Sequence, residues 1–241
     1  MHRKNGLHKA FCFKQFHIHH DRCAMKIGTD GVLLGAWANI GKAQTLLDIG
    51  TGTGIIALML AQRSHKDALI DAIEIDRDAY LQAVENANAS PWQDRINPIH
   101  TSLQNFDTRG KYDLIVSNPP YFINSHKPPD QKRTQSRHAD GLPYAMLIDG
   151  IKKLMAPKGR SCLILPRAEA AIFVALAGAA HLYCCKKTEV RSKPSKPVER
   201  VLLEFSHSYS APDEYGLVLF DEKGKRTAPY HRLVSPFYLY D

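Results

Sequence analysis

The 241-residue chain has no run of about 18 apolar residues, the length that a membrane-spanning helix needs. Its five cysteines are an odd number without a repeating spacing, which argues against a disulfide framework and favours reduced thiols. The segment Met1 to Phe16 is polar and basic and has no apolar signal core, so we expect a cytoplasmic protein. Fifteen Gly and fourteen Pro exclude a fibrous repeat, and 44% hydrophobic residues exclude general disorder.

The net charge of +8 is unevenly distributed along the chain. Residues 120–200 hold fifteen Lys/Arg and six Asp/Glu, a net +9, whereas the other 160 residues sum to −1. One basic cluster lies in a stretch rich in Pro, Asp and Ser that predicts a loop, and it consists of Lys127, Lys132, Arg133 and Arg137. A second basic run extends from Lys186 to Arg200. A single run usually forms only a solvated surface, but two runs that flank one candidate site favour contact with nucleic-acid phosphates.

Short apolar runs alternate with helical patterns along the chain. The runs at 45–49, 68–75, 96–100, 112–117 and 161–165 predict buried strands, and helices are predicted at 55–63, 78–89, 142–155 and 168–179. Pro157-Lys158-Gly159 predicts a break before the fifth strand, and 182–190 with 198–205 predict a hairpin-like ending, followed by a strand at 216–220. This alternation predicts an α/β protein with a mostly parallel sheet and helices on both faces.

We divide the chain into three parts on this basis. Residues 1–44 are predicted to form an N-terminal arm and a helix that packs on the core, and residues 45–206 are predicted to form the core itself. Residues 207–241 add a strand and an aromatic tail to the same domain.

A glycine-rich turn, Asp48-Ile49-Gly50-Thr51-Gly52-Thr53-Gly54, joins the first core strand to the next helix. Glycine lets the backbone turn sharply and approach a ligand, and the free N–H groups of a helix start favour an anionic group. Glu74 closes the second strand, where an acid accepts hydrogen bonds from a ribose. These features leave two cofactors open, a nicotinamide dinucleotide and S-adenosylmethionine. Asp48 favours the second, because an acid at this point can meet the ammonium group of S-adenosylmethionine.

The most informative segment is Asn118-Pro119-Pro120-Tyr121, at the end of the predicted strand 112–117. Open α/β sheets bind ligands at the carboxyl ends of their strands, so this tetrad faces the same crevice as the glycine turn and Glu74. The two prolines stiffen the backbone, so that the Asn118 oxygen and the Pro119 carbonyl can both accept from one planar amine. Tyr121, with Phe122 beside it, can stack on the ring that carries the amine. An oxidoreductase would leave the tetrad unexplained.

Together with the preceding Tyr112-Asp113-Leu114-Ile115-Val116-Ser117, the tetrad resembles the amino-methyltransferases that act on exocyclic or amide nitrogens. Segments over nearly the whole chain resemble, more narrowly, the bacterial tRNA1(Val) adenine-37 N6-methyltransferase family. They are Phe13-Lys14-Gln15-Phe16, the stretch from His20 to Gly31, Leu33-Leu34-Gly35-Ala36-Trp37, the stretch from Ala57 to Arg63, Ser90-Pro91-Trp92 and Phe237-Tyr238-Leu239. The resemblance implies a class I methyltransferase fold, with a seven-stranded, mostly parallel sheet whose last strand is antiparallel.

The resemblance also implies S-adenosylmethionine as the cofactor, a tRNA as the partner, and methyl transfer to N6 of an adenine. The methionine part would contact Asp48, Gly50, Thr51, Gly52 and Gly54, with Lys26, Thr29 and Asp30 nearby. Glu74 would bind the ribose, and Asn118 would lie beside the methyl group. Where the family pattern has an acid that accepts from the cofactor's adenine amine, this chain has Ser102, a weaker acceptor. We assign catalysis to Asn118, Pro119, Pro120 and Tyr121, and RNA contacts to Tyr121, Phe122 and the four basic loop residues.

Other activities stay open from the residues alone. The same tetrad serves N6-adenine methylation of ribosomal RNA or DNA and N5-glutamine methylation of proteins, although the N-terminal segment favours tRNA. Ser102 is the only support for a non-catalytic RNA-binding module with a decayed cofactor pocket. His17, His19, His20 and Cys23 match no standard zinc spacing, so we expect no metal. We also expect a monomer that does not bind membranes.

Replacing Lys132, Arg133 and Arg137 with Ala is expected to weaken tRNA binding and to flatten its salt dependence, because each phosphate contact releases counterions. Fluorescence anisotropy with labelled tRNA at several salt concentrations measures this slope. An unchanged slope would show that the three residues form only a solvated surface.

Overall fold

The computed structural model describes residues 10–23, 28–108, 110–120 and 143–239. Its strands are β1 (Phe11–Cys12), β2 (His17–Ile18), β3 (Thr45–Ile49), β4 (Leu69–Glu74), β5 (Ile96–His100), β6 (Tyr112–Ser117), β7 (Met155–Pro166), β8 (Tyr183–Arg191), β9 (Arg200–Ser206) and β10 (Asp213–Val218). Its helices are α1 (Thr29–Trp37), α2 (Ile55–Arg63), α3 (Arg77–Asn88), α4 (Tyr144–Leu154), α5 (Arg167–Ala179) and α6 (Ala228–Val234).

Eight of the strands form one sheet, in the order β10-β8-β9-β7-β6-β3-β4-β5. Strand β3 pairs in parallel with β4 and β6, β4 with β5, and β6 with β7. Strand β9 runs antiparallel to both β7 and β8, and β10 runs parallel to β8. The predicted class, a mostly parallel α/β sheet with helices on both faces, is confirmed. Strands β3 to β9 make up the seven-stranded sheet that the resemblance implies, and the last of the seven, β9, is antiparallel to its neighbours. Strand β10 adds an eighth strand at the edge of the sheet.

The eighth strand covers what would otherwise be a sheet edge. Strand β10 pairs with β8 from Asp213 opposite Lys186 to Val218 opposite Arg191. Without it, β8 would expose a row of unpaired N–H and C=O groups. Four of its six residues are exposed, so its sequence lacks the apolar pattern of a core strand. Because its first four residues give no apolar signal, the sequence predicted this strand at 216–220, three residues later than its observed start at Asp213.

The helices divide between two apolar cores, one on each face of the sheet. Helices α1, α2, α3 and α6 contribute to the first core, and α4 and α5 to the second. In the first, a Cβ atom at Gly35 would lie 2.9 Å from Sδ of Met59, so the glycine permits the close approach of α1 and α2. Because both faces are buried, Leu114, Ile115 and Val116 of β6 are all inaccessible to solvent.

The predicted break at Pro157-Lys158-Gly159 is wrong, because β7 begins at Met155 and runs through these residues. The pairing of β6 with β7 shifts its register between Tyr112 and Leu114, which marks a local irregularity. A Cβ atom at Gly159 would lie 2.7 Å from the Tyr112 carbonyl oxygen, so the glycine permits this contact. Proline and glycine are tolerated in a strand at such an irregularity.

Buried amides tie the N-terminal residues 10–23 to helix α3. The Asn86 side chain accepts from the His19 N–H at 2.8 Å and donates to the carbonyls of His19 and Thr53 at 2.9 and 2.8 Å. Gln82 accepts from the Arg22 N–H at 3.2 Å. Since Thr53 belongs to the glycine turn, the same side chain holds both the arm and the turn.

Among the described residues, no helix is long and apolar enough to cross a membrane. All five cysteines are free thiols.

Candidate active site

Three adjacent parallel strands bring the predicted site residues together at one edge of the sheet. Ile49 of β3 lies opposite Ile73 of β4 and opposite Ser117 of β6. The next residues, Gly50, Glu74 and Asn118, therefore leave three neighbouring strands side by side. The Ser117 hydroxyl donates to the Ile49 carbonyl at 2.9 Å and holds two of these strand ends together. With strands about 4.8 Å apart, Glu74 and Asn118 flank the glycine turn across roughly 10 Å.

The glycine turn leaves its backbone open on one side. Gly50, Gly52 and Gly54 have φ values of +71°, +57° and +82°, in the left-handed region that favours glycine. A Cβ atom at Gly50 or Gly52 would meet no atom within 4 Å, whereas one at Gly54 would lie 3.5 Å from Ala83 of α3. The first two glycines therefore line open space that a ligand can fill, and the third permits close packing of α2 against α3.

Glu74 holds the glycine turn in place. One carboxylate oxygen accepts from the Gly52 N–H at 2.8 Å and the other from the Asp76 N–H at 2.9 Å. The residue is 8% exposed. Because a carboxylate offers about four acceptor positions, each oxygen can accept one more donor, such as a hydroxyl of a diol.

Asp48 is a fully buried acid with an unsatisfied oxygen. The Thr51 hydroxyl donates to Oδ2 at 2.6 Å, but Oδ1 has no hydrogen-bond partner among the described residues. Burial raises the pKa of Asp48 to about 7, against the opposing effects of the Thr51 hydroxyl and the Ala57 backbone and with a smaller contribution from the Glu74 charge. A buried polar atom without a partner is costly, and a ligand that brings a positive charge would remove that cost.

Other predicted residues lie at the same edge. Asn118 is half-buried, Pro119 is buried and Pro120 is exposed. Ser102 follows β5, and its hydroxyl oxygen accepts from the Asn105 N–H at 3.2 Å. Asp30, in the first turn of α1 after Thr29, forms an ion pair with Arg200 of β9 at 2.8 Å. Seven predicted site residues lie outside the described residues; they are Lys26, Tyr121, Phe122, Lys127, Lys132, Arg133 and Arg137.

Sequence analysis assigned no role at this edge to two side chains, Ile75 and Cys23. Ile75, directly after Glu74, is 66% exposed, and its carbonyl lies 3.1 Å from Nε2 of His100. The sequence contained one signal for Ile75, because an apolar residue directly follows the acid that ends the strand.

Cys23 lies close to Glu74 and Asp76. Burial has the largest effect on its thiol and, together with these two charges, raises the pKa of Cys23 to about 11. The thiol is therefore protonated at neutral pH, and no group of three or more His, Cys, Asp or Glu within the described ranges is placed to hold a metal ion.

Asn86 and Gln82, which hold the arm, were also missed. They are four residues apart on α3, on the side that carries the buried Ala79, Ala83 and Ala87. The sequence contained a signal for this role, because polar side chains on an otherwise apolar helix face indicate buried hydrogen bonds.

Comparison with known proteins defines the class of protein to which this fold belongs. The family model described as the methyltransferase small domain matches residues 25–135, which include the glycine turn, Glu74 and Asn118. A predicted O-methyltransferase from Agrobacterium tumefaciens superposes with a TM-score of 0.67 at 16% identity, covering 88% of this chain and 98% of that chain. A putative RNA methyltransferase from Pyrococcus horikoshii superposes with a TM-score of 0.51 at 13% identity, covering 73% and 80%. The fold is that of the class I methyltransferases, which implies S-adenosylmethionine-dependent catalysis.

Sequence comparison narrows this class to one family. A tRNA1(Val) (adenine(37)-N6)-methyltransferase from Aeromonas hydrophila is 44% identical over 97% of this chain and 99% of the relative. Its counterpart from Parabacteroides distasonis is 47% identical over 95% of this chain and 97% of the relative. The chain belongs to the tRNA1(Val) (adenine(37)-N6)-methyltransferase family.

Replacing Asp48 with Asn is expected to change how protein stability depends on pH in the absence of cofactor. Because burial raises the pKa of Asp48 from 3.8 to about 7, the folded state holds a proton that the unfolded state has lost. The wild-type protein therefore loses about 1.4 kcal/mol of unfolding free energy per pH unit as pH rises through this range. The Asp48→Asn variant has no carboxyl group to titrate at this position. The difference in unfolding free energy, variant minus wild type, should therefore rise from pH 4 to pH 8.

Urea denaturation at each pH measures the effect. The exposed Asp94→Asn variant is the control and should keep the wild-type pH dependence. If Asp48→Asn and wild type show parallel pH profiles, Asp48 does not carry the raised pKa.

Proposed function

We propose that the protein transfers a methyl group from S-adenosylmethionine to N6 of adenine 37 in tRNA1(Val). One observation carries the proposal: Asn118 leaves the sheet directly beside the glycine turn, on the side opposite Glu74. A cofactor that lies across the turn would thus reach the tetrad. The names of the relatives, which share 44% and 47% of their residues with this chain, support the choice of tRNA and of the adenine.

The residues at the edge fit S-adenosylmethionine. When bound, this cofactor supplies an electrophilic methyl group. The unpaired Oδ1 of Asp48 would accept from its ammonium group, as a charge-assisted hydrogen bond. Each carboxylate oxygen of Glu74 already accepts one backbone N–H, from Gly52 or from Asp76, and would accept a ribose hydroxyl at its second acceptor position. Ile75 would cover the adenine with apolar surface, and Ser102 would accept from its amine.

The open space in front of Gly50 and Gly52 and the unpaired Asp48 oxygen argue against a decayed pocket. A pocket that no longer binds a ligand would not be expected to keep a buried carboxylate oxygen without a partner. An active enzyme is therefore favoured over a non-catalytic RNA-binding module.

The tetrad would position the substrate amine. Asn118 and the Pro119 carbonyl, by accepting its two hydrogens, would draw electron density onto nitrogen and fix its direction, and such positioning supplies much of the rate of a two-substrate reaction. Tyr121 would stack on the adenine, which leaves its stack more easily in a tRNA loop than in a duplex. No strong general base is required, since methylation makes the nitrogen acidic and its proton can leave to water afterwards.

Asn118→Ala and Tyr121→Ala are each expected to lower the turnover number for tRNA methylation by about a hundredfold or more, because the amine loses its orientation. Cofactor binding by Tyr121→Ala should stay near normal. Labelled S-adenosylmethionine is incubated with a total tRNA pool, and nucleoside analysis quantifies N6-methyladenosine.

The control for these variants is Asn97→Ala, because Asn97 is an exposed residue of the edge strand β5 and its side chain donates to Asp71 at 2.8 Å. Its turnover should equal that of wild type. Near-normal turnover of both tetrad variants would contradict the assignment, and label on protein or DNA would redirect it.

Ser102→Asp is expected to tighten S-adenosylmethionine binding about fivefold to tenfold, because a carboxylate accepts from an amine more strongly than a hydroxyl. Aspartate can also keep the hydrogen bond from the Asn105 N–H. Isothermal titration calorimetry measures the dissociation constant, with Ser102→Ala as the control that removes the acceptor. If Ser102→Asp binds no better than Ser102→Ala, this position does not contact the adenine amine.

A further inference from the structure

The edge of the sheet that carries the candidate active site extends past Asn118. Strand β8 is antiparallel to β9, which is antiparallel to β7, so β8 points the same way as β6 and β7. Strand β10 is parallel to β8. The turns that follow β8 and β10, residues 192–199 and 219–227, therefore project from the same edge as the glycine turn. The two turns are adjacent, because the N–H groups of Leu219 and Phe220 donate to the carbonyls of Arg191 and Ser192 at 2.9 and 3.0 Å.

The two turns and the last residue of β8 carry a cluster of cations. We call this cluster the basic platform, and it consists of Arg191, Lys193, Lys196, Lys223 and Lys225. Lys196, Lys223 and Lys225 are exposed, and none of the five forms a salt bridge within the described ranges. The Lys193 ammonium donates to the backbone carbonyl of Glu222 at 3.2 Å, which links the two turns.

Nearby acids shape these turns instead of pairing with the lysines. The two carboxylate oxygens of Glu222 accept from the N–H and the hydroxyl of Ser195, at 3.0 and 3.1 Å. Glu199 accepts from the Ser192 hydroxyl at 2.6 Å, and Asp221 accepts from the Lys225 backbone N–H at 2.8 Å. The backbone of the two turns is thus held in one arrangement before any partner binds, which lowers part of the entropy cost of binding.

We infer that the basic platform binds the phosphate backbone of the tRNA whose adenine reaches Asn118, an inference that rests on the proposed function. In the sheet, β8 is the third strand from β6 and β10 is the fourth. At about 4.8 Å per strand, the platform begins roughly 14 to 19 Å from Asn118. A polynucleotide carries a phosphate at every residue, so an RNA with one base at Asn118 has phosphates within that distance. Lysines contact phosphates without reading sequence, so the platform contributes affinity and orientation rather than base choice.

The test compares two double variants that remove the same charge from opposite edges of the sheet. Lys196→Gln with Lys223→Gln alters one exposed lysine of each platform turn. Lys42→Gln with Lys158→Gln alters two exposed lysines near the starts of β3 and β7, at the edge away from the site. Fluorescence anisotropy with labelled tRNA gives the slope of log association constant against log salt concentration for the full chain.

The platform variant is expected to lower the magnitude of this slope by about 1 per lysine and to raise KM for tRNA several-fold. Its turnover number at saturating tRNA and its S-adenosylmethionine dissociation constant should equal those of wild type. The control variant should keep the wild-type slope and KM. Thermal melting of both variants confirms that the fold is retained.

Two results would overturn the inference. Equal slopes for wild type and the platform variant would show that these lysines contact no phosphate, and equal losses in both double variants would show that they contribute only general attraction. A different result would contradict the proposed function. A wild-type protein that leaves N6 of adenine unmethylated, yet shows the platform-dependent slope, would overturn the reaction but keep the RNA surface.

Discussion

The pairing register of β4, β3 and β6 is the constraint on which the site depends. It places Ile73, Ile49 and Ser117 in one row, so that Glu74, Gly50 and Asn118 leave the sheet together. These strands are buried on both faces, and a slip of one residue would turn every side chain to the opposite face. The apolar packing that holds the fold together therefore also sets the distances among the candidate ligand-binding groups.

Two buried polar side chains beside the glycine turn differ in how fully their hydrogen bonds are satisfied. Asn86, equally buried, has three hydrogen bonds to the arm and the glycine turn, whereas Asp48 has one oxygen without a partner. Both residues lie next to the same turn, so the difference does not arise from a locally loose structure. A buried acid that lacks a hydrogen bond lowers the stability of the protein without ligand. Such an unsatisfied group is expected where a ligand completes the site.

One antiparallel strand extends the edge of the sheet that carries the candidate site. Because β9 reverses direction, β8 and β10 regain the direction of the core strands, and the turns that follow them project beside the tetrad. The cofactor edge and the basic platform are therefore two parts of one surface. Three of the five platform cations lie in residues 120–200, which carry a net +9, whereas the other 160 residues sum to −1.

The sequence by itself determined the local elements and the chemistry of the site residues. Strands β3, β5 and β6 and helix α2 have the predicted bounds, because apolar runs that end in glycine or polar residues are local signals. Only the tertiary structure decided the non-local features: the pairing of the eighth strand with β8, the course of β7 through Pro157 and Gly159, the contacts of Asn86, and the edge from which the basic turns project. Each of these depends on pairing between residues far apart in the chain, and such pairing leaves no fixed spacing in the sequence.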